Sequence, residues 1–169
     1  MALTYLSIGG NLGYRFSNLA RARLLIEENI GRIDLKSSVY ETEPWGFVHK
    51  NLFLNQIVGV RTLLSPFEIL SEIKKIETVM GRKRTGKERY EGRRIDIDIL
   101  FYNNEIIDTA ELTVPHPEMT KRKFVLIPLA EIATTKIHPV LNKTVDDLLR
   151  ECQDNGEVKK VSLKIRRGY

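Results

Sequence analysis

The chain has 169 residues, 42% of them hydrophobic and 29% charged, and its 27 Lys+Arg against 22 Asp+Glu give a formal net charge of +5. That length suits one domain with a real core, and the composition excludes a disordered chain. No apolar run approaches the roughly 18 residues of a membrane helix, and the opening Met1-Ala2-Leu3-Thr4-Tyr5 lacks the pattern of a signal peptide, so a cytoplasmic protein is expected. The lone cysteine, Cys152, excludes an internal disulfide or a thiolate-rich metal centre.

Leu3 to Ile8 reads as the first strand, followed by Gly9-Gly10-Asn11-Leu12-Gly13, a turn whose glycines can take positive φ. A helix is expected from Arg15 to Asn29, with Leu19, Ala22, Leu25 or Ile26, and Ile30 near a 3.6-residue period and Gly31 ending it. Ile33 to Tyr40 alternates as one strand, Glu43 to Leu52 is a Pro- and Gly-containing loop, and Phe53 to Leu63 is a second Val- and Ile-rich strand. Ser65-Pro66-Phe67-Glu68 sets a capping serine, a proline at the first helical position and a glutamate at the third, and Phe67, Leu70, Ile73, Ile76 and Met80 continue the helix to Gly81. Ile95 to Tyr102 alternates again, and Asn103-Asn104 turns into Glu105 to Asp108. Beyond Pro115-His116-Pro117 come a helical stretch Val125 to Ala133, a capped helix Thr144 to Cys152 and a strand Val161 to Ile165. Strand, helix, strand, strand, helix, strand predicts an α+β, ferredoxin-like βαββαβ core, an antiparallel sheet with helices packed on it, extended by C-terminal helices.

The charge is concentrated. Arg82 to Arg94 holds seven bases (Arg82, Lys83, Arg84, Lys87, Arg89, Arg93, Arg94) against Glu88 and Glu91, and the tail from Lys159 adds five bases and no acid. Such a long aperiodic loop suits ligand binding, and its arginines suit a polyanion, either a phosphate ester or a nucleic acid. The loop feeds directly into Asp96-Ile97-Asp98. Residues two apart on a strand share a face at about 6.5–7 Å, so both carboxylates can reach one Mg²⁺ or a pair of ions. Alone, that motif reads better as the solvated face of an antiparallel sheet. Beside clustered arginines it points to phosphoryl or pyrophosphoryl transfer. Gly81 to Lys87 is not a P-loop, because Glu88 stands where Ser or Thr would hold the metal and the segment follows a helix. Phe53 and Phe124 could stack on a flat heteroaromatic acceptor and Asn55 read its edge; each phenylalanine alone reads better as core, whereas the Asn55 amide on a Val- and Ile-rich strand is harder to explain by packing.

Taken together, Ile8-Gly9-Gly10-Asn11-Leu12-Gly13, Tyr40-Glu41-Thr42-Glu43-Pro44-Trp45-Gly46, Phe53-Leu54-Asn55, the Glu77 to Arg84 segment, Arg93-Arg94-Ile95-Asp96-Ile97-Asp98-Ile99-Leu100 and Val114-Pro115-His116-Pro117 with Met119, Arg122 and Phe124 resemble the 6-hydroxymethyl-7,8-dihydropterin pyrophosphokinases of folate biosynthesis. The resemblance covers residues 1–135 and implies ATP as donor, AMP as product and two Mg²⁺ held by Asp96 and Asp98. It implies a pterin between Phe53 and Phe124, read by Asn55 and by groups of Thr42, Pro44 and Trp45. Arg82 and Arg93 would close on the triphosphate, and Lys74, Glu77, Arg84, Ile99, His116 and Arg122 correspond to nucleotide positions. Gly10 replaces a usual serine, Tyr90 a common tryptophan, Glu91-Gly92 a Gly-Pro pair and Lys74 a frequent glutamine. The expectation is one pyrophosphokinase domain over 1–169, with core 1–135 and extension 136–169. It is expected to be a monomer that binds small molecules rather than nucleic acid or membrane and can associate with other folate enzymes. The competing readings are a ferredoxin-like RNA-binding module, in which basic residues contact phosphate and sheet aromatics stack bases, and an inactive relative kept for protein contacts.

Overall fold

The computed structural model describes residues 1–81 and 92–163. Arg82, Lys83, Arg84, Lys87, Arg89 and Tyr90 of the basic loop, and the tail from Lys164, therefore lie outside the described residues.

Strand β1 runs from Ala2 to Gly10 and helix α1 from Arg15 to Asn29. The strand thus continues through Gly9 and Gly10, and of the turn's three glycines only Gly13 has positive φ. The other two are small for a different reason. A Cβ on Gly10 would collide with the Arg94 carbonyl, and one on Gly9 would lie 2.5 Å from Asn55 Oδ1.

The expected single strand over 33–40 is two strands, β2 (Arg32–Lys36) and β3 (Val39–Thr42). Ser37 and Ser38 break it by hydrogen-bonding outside the ladder. Ser37 Oγ accepts from Ile57 N at 3.0 Å, and Ser38 donates from both N and Oγ to Glu131 Oε1 at 3.0 and 2.7 Å. Both strands pair antiparallel with β4 (Phe53–Thr62), β2 with its far end and β3 with its start, where Tyr40 faces Asn55 and Thr42 faces Phe53.

Helix α2 (Pro66–Val79) begins as its sequence dictates: Ser65 N donates to Glu68 Oε2 at 2.7 Å and Ser65 Oγ accepts from Glu68 N, a reciprocal cap. Strand β5 (Asp96–Tyr102) pairs antiparallel with β1, and β1 with β4. Strands β6 (Ile107–Asp108) and β7 (Thr113–Val114) form a small separate hairpin, so the Glu105 to Asp108 segment does not join the main sheet. A 3₁₀ turn at Met119–Lys121 leads into α3 (Lys123–Ala133). Strands β8 (Ile137–His138) and β9 (Lys143–Thr144) form a second hairpin before α4 (Val145–Glu151), capped by Thr144 and Asp147. The last strand, β10 (Val158–Val161), lies earlier than the expected Val161 to Ile165 and pairs with β3.

The main sheet is antiparallel in the order β10-β3-β4-β1-β5, with β2 also on β4. Helices α1 and α2 cover one face: Leu19, Ala22, Ile26, Ile69, Ile73 and Ile76 pack on Leu6, Ile8, Leu54, Val58, Val60, Ile97 and Ile99. On the opposite face, α3 and α4 pack Val125, Leu129, Ala133 and Val145 on Tyr5, Ile57, Leu100 and Phe101. That cover ends on a diagonal, at Tyr5 on β1 and at Ile57, which lies opposite Ser7, on β4. The rest of the face is a cleft.

Candidate active site

Period-two alternation places the odd residues of β1 and β4 and the even residues at the start of β5 on the uncovered half-face. Gly9 lies opposite both Asn55 and Asp96, and Ser7 opposite Asp98. Asn55 and Asp96 are therefore two strand spacings apart, about 10 Å between backbones. The cleft has a volume of about 580 Å³.

At one end, Asn55 is buried and donates from Nδ2 to Thr42 Oγ1 at 2.8 Å, which leaves Oδ1 lying over the bare backbone of Gly9. The amide is thus held in one orientation by a threonine on one side and a missing side chain on the other. Phe53, Phe47, Trp45 and Phe124 line the same end, with Phe47 edge-on to Phe53 at 6.0 Å between ring centres. The Arg122 guanidinium stands over the Trp45 ring at 4.8 Å and near the Phe124 ring at 5.9 Å. Its Nε is buried with no hydrogen-bond partner among the described residues.

At the other end, Arg93 donates to Asp96 Oδ2 at 2.7 Å, while His116 Nε2 stands 4.0 Å from Asp98 Oδ1. Burial, and secondarily the Arg122 charge, holds the His116 imidazole down at about 4, so the ring is neutral at neutral pH. Its Nδ1 accepts from Glu118 N at 3.1 Å, which puts the proton on Nε2, facing Asp98. The His116–Asp98 approach is consequently a neutral N–H beside a carboxylate rather than an ion pair. Burial first, then the charges of Asp96 and Glu77, push the Asp98 carboxyl up to about 7 against the opposing pull of Arg122 and Arg93. Two carboxylates on one face resist double ionisation unless a cation joins them. Around the outer edge of β5 the cleft reaches α2, where buried Glu77 accepts from Ile97 N at 2.9 Å beside Lys74, Leu70 and Ile73.

Of the residues picked from sequence, Thr42, Trp45, Phe53, Asn55, Lys74, Glu77, Arg93, Asp96, Asp98, His116, Arg122 and Phe124 line this one cleft. Ile99 and Pro44 do not. The Ile99 side chain points the other way, into the core under α1 and α2, as its odd position on β5 requires. Arg82 and Arg84 lie outside the described residues. Sequence reasoning missed Ser7 and Phe47 as lining residues and the role of Asn11. Asn11 is buried, and its Oδ1 accepts from Arg93 N at 2.7 Å while its own N donates to Arg93 O at 2.8 Å. Its Nδ2 lies 3.3 Å from both His49 Nδ1 and Asn51 O. The end of β1 thereby fixes the backbone of Arg93 and ties it to the loop that carries Trp45. An asparagine between glycines hinted at a turn, not at such a junction.

The sequence signature of the family described as 7,8-dihydro-6-hydroxymethylpterin-pyrophosphokinase matches residues 5–134. A 2-amino-4-hydroxy-6-hydroxymethyldihydropteridine pyrophosphokinase of Aquifex aeolicus is 42% identical over 151 residues, 89% of this chain and 92% of the relative. One of Bacillus subtilis is 43% identical over 131 residues, 77% of each. Among solved structures, the Plasmodium falciparum HPPK-DHPS wild type with SDX-DHP superposes with a TM-score of 0.71 at 20% identity, over 89% of this chain. This chain spans only 43% of that longer one, so the superposition speaks for the fold. The fold and these relatives define an ATP-dependent enzyme of the kinase type. The chain belongs to the 7,8-dihydro-6-hydroxymethylpterin-pyrophosphokinase family, whose activity is pyrophosphoryl transfer from ATP to hydroxymethyldihydropterin in folate synthesis.

Proposed function

We propose that the cleft transfers the β,γ-diphosphate of ATP to the hydroxymethyl oxygen of 6-hydroxymethyl-7,8-dihydropterin, with Asn55 and Thr42 reading the pterin edge and Asp96 and Asp98 marking where the phosphates react. The observation that carries this reading is the row Asn55–Gly9–Asp96, which puts an oriented amide and a carboxylate pair at the two ends of one pterin-sized floor. The pterin would lie among Phe53, Phe124 and Trp45, near main-chain groups from Thr42 through Pro44. Arg93, Arg122, Lys74 and neutral His116 would face the triphosphate, with Glu77 holding the β5 edge beside the nucleotide. Arg82 and Arg84 keep the triphosphate roles implied by the resemblance, and Ile99 could contribute only main-chain groups.

Asp96 and Asp98 suit Mg²⁺ as a donor set: they are two hard carboxylates on one face, and the described residues contain no group of three or more His, Cys, Asp or Glu able to cage a metal alone. Magnesium commonly takes one or two carboxylates and completes its shell with water and phosphate. When bound there, two Mg²⁺ would supply charge neutralisation and polarisation of phosphate oxygens. The chain's own part is positional. Asn55 and the aromatic rings hold the acceptor so that its oxygen lies in line with the β-phosphorus, and the arginines neutralise the migrating group. The new O–P bond forms as the bond from the β-phosphorus to the α,β-bridging oxygen breaks, AMP leaves with that oxygen, and the hydroxyl proton passes to water.

We also read the strand order β5-β1-β4-β3 with α1 and α2 on one face as the ferredoxin-like βαββαβ arrangement. The chain is read as one domain, core 1–135 with extension 136–169, because α4 packs on α3 and β10 completes the sheet. We read it as a monomeric cytoplasmic enzyme; no described helix is long and apolar enough to cross a membrane. An RNA-binding module is disfavoured, since Asp96 and Asp98 occupy the face where a phosphate backbone would lie. Incubation with ATP, Mg²⁺ and the dihydropterin tests the proposal: substrate-dependent AMP is expected, and ADP or no acceptor-dependent product refutes it.

A further inference from the structure

Residues beyond 134 lie outside the family signature, and none after Phe124 lines the cleft among the described residues. Yet the segment from Asp154 to Val161 touches both walls of its aromatic end. On one wall, α3 starts at Lys123 with Arg122 at the capping position, and Arg122 supplies no side-chain cap. The missing acceptor comes from 31 residues away: Asp154 Oδ2 accepts from Lys123 N at 3.0 Å, while its Oδ1 accepts from Gly156 N at 2.9 Å and turns the chain toward β10. A carboxylate at that point also complements the helix dipole. On the other wall, β10 pairs Val158 with Thr42 and Lys160 with Tyr40, and the Tyr40 hydroxyl donates to Glu131 Oε2 of α3 at 2.6 Å. Val161 packs into the main core and anchors the segment.

We propose that Asp154 is a positioning residue: by capping α3 from the C-terminal segment it sets Arg122 and Phe124 against Trp45, and so fixes the width of the aromatic slot, while β10 holds Thr42 opposite. Asp154 touches no substrate. A cap that merely stabilised α3 would change the melting temperature alone. A positioning cap changes the slot in the folded protein.

Trp45 is the chain's single tryptophan and stacks on Arg122, so its fluorescence reads the slot without any substrate. Full-length Asp154→Ala is compared with wild type and with Asp154→Asn, which keeps an acceptor oxygen, at a temperature where all three give the same far-ultraviolet circular dichroism. Asp154→Ala should shift Trp45 emission to longer wavelength and increase quenching by acrylamide, and Asp154→Asn should restore most of both. Calorimetric titration with 6-hydroxymethyl-7,8-dihydropterin, in the presence of an ATP analogue carrying a methylene α,β-bridge, should show affinity falling about fivefold in Asp154→Ala, equivalent to ~1 kcal/mol. Unchanged Trp45 fluorescence in Asp154→Ala, or an Asp154→Asn variant no closer to wild type than the alanine, overturns the inference. The pterin titration rests on the function proposed above and the fluorescence does not: a wild type that ignores the pterin refutes that function, while the Trp45 response still decides the role of Asp154.

Discussion

On the sheet face turned toward α3, residues two apart on the same strand live in opposite surroundings. Tyr5, Ile57 and Leu100 are buried under Val125, Leu129 and Val145, whereas Ser7, Asn55 and Asp98, the next residues on the same face of the same strands, floor the cleft. Backbone pairing of β1 with β4 is continuous across the boundary, while the pairing of β1 with β5 shifts register between Tyr5 and Leu6. What differs is cover. Helix α3 starts at Lys123, so its side chains reach Tyr5 and Ile57 and stop, and the Arg122 and Phe124 that precede or open it become a wall of the cleft instead. The covered half is held by apolar burial, and the open half is assembled from groups that gain little stability by being there.

The sharpest way to break that division is at Asp98. Asp98→Ala should lower the rate of AMP formation on the order of 10³-fold with no loss of thermal stability in EDTA. Near-normal turnover would remove the carboxylate pair from the chemistry. The reverse pattern belongs to the covered half. Leu129 is fully buried, so Leu129→Ala should cost about 2–5 kcal/mol in urea unfolding while turnover well below the transition stays within a few-fold of wild type. A collapse of turnover in the folded variant would mean that the two halves are not separable.

Smaller effects sharpen the picture within the cleft. A Cβ at Gly9 would meet Asn55 Oδ1 at 2.5 Å and Leu54 O at 3.1 Å, so Gly9→Ala must swing the amide or lift the strand. It should raise the KM for the pterin about tenfold, the value of one oriented polar contact, with nucleotide affinity measured separately and unchanged. An equal loss for both substrates would show the amide is not specific to the pterin end. The smallest effect is electrostatic. In protein free of divalent cations, Asp98 has its pKa raised in the fold, to about 7 from 3.8. Between those values the folded state binds the proton that the unfolded state has lost, so this group's contribution to stability falls as pH rises through the window and stays low above it. Asp98→Asn should remove that slope and stabilise the metal-free protein at pH 8 by on the order of 1 kcal/mol, discounted because 37% of the side chain is exposed. A steeper slope in the asparagine variant would place the raised group elsewhere.

Much of this was legible in the residues. The cap Ser65-Pro66-Phe67-Glu68, the span of α1 and the alternation of β4 and β5 are local, because each depends on hydrogen bonds and side-chain period within a few residues. Alternation also brought Asp96 with Asp98, and Phe53 with Asn55, onto common faces. It was less informative where local chemistry conceded to longer contacts. The break at Ser37 and Ser38 depends on Ile57 and Glu131, and Gly9 and Gly10 look like turn residues until Asn55 and Arg94 are seen against them. Ile99 shares the motif of Asp96 and Asp98 but not their face.

By itself, the sequence determined the order of the core elements, the alternation that separates polar from apolar faces, and a family membership carried by motifs spread from Ile8 to Phe124. Only the tertiary structure decided where the covered half-face ends, that Asn11 locks the backbone of Arg93, and that Asp154 caps a helix 31 residues before it. The physical reason is range. Periodicity and capping act over a few residues, so a chain displays them openly, whereas a glycine chosen for a neighbour's amide or a carboxylate recruited to a distant helix has meaning only once the partner strand or helix stands beside it.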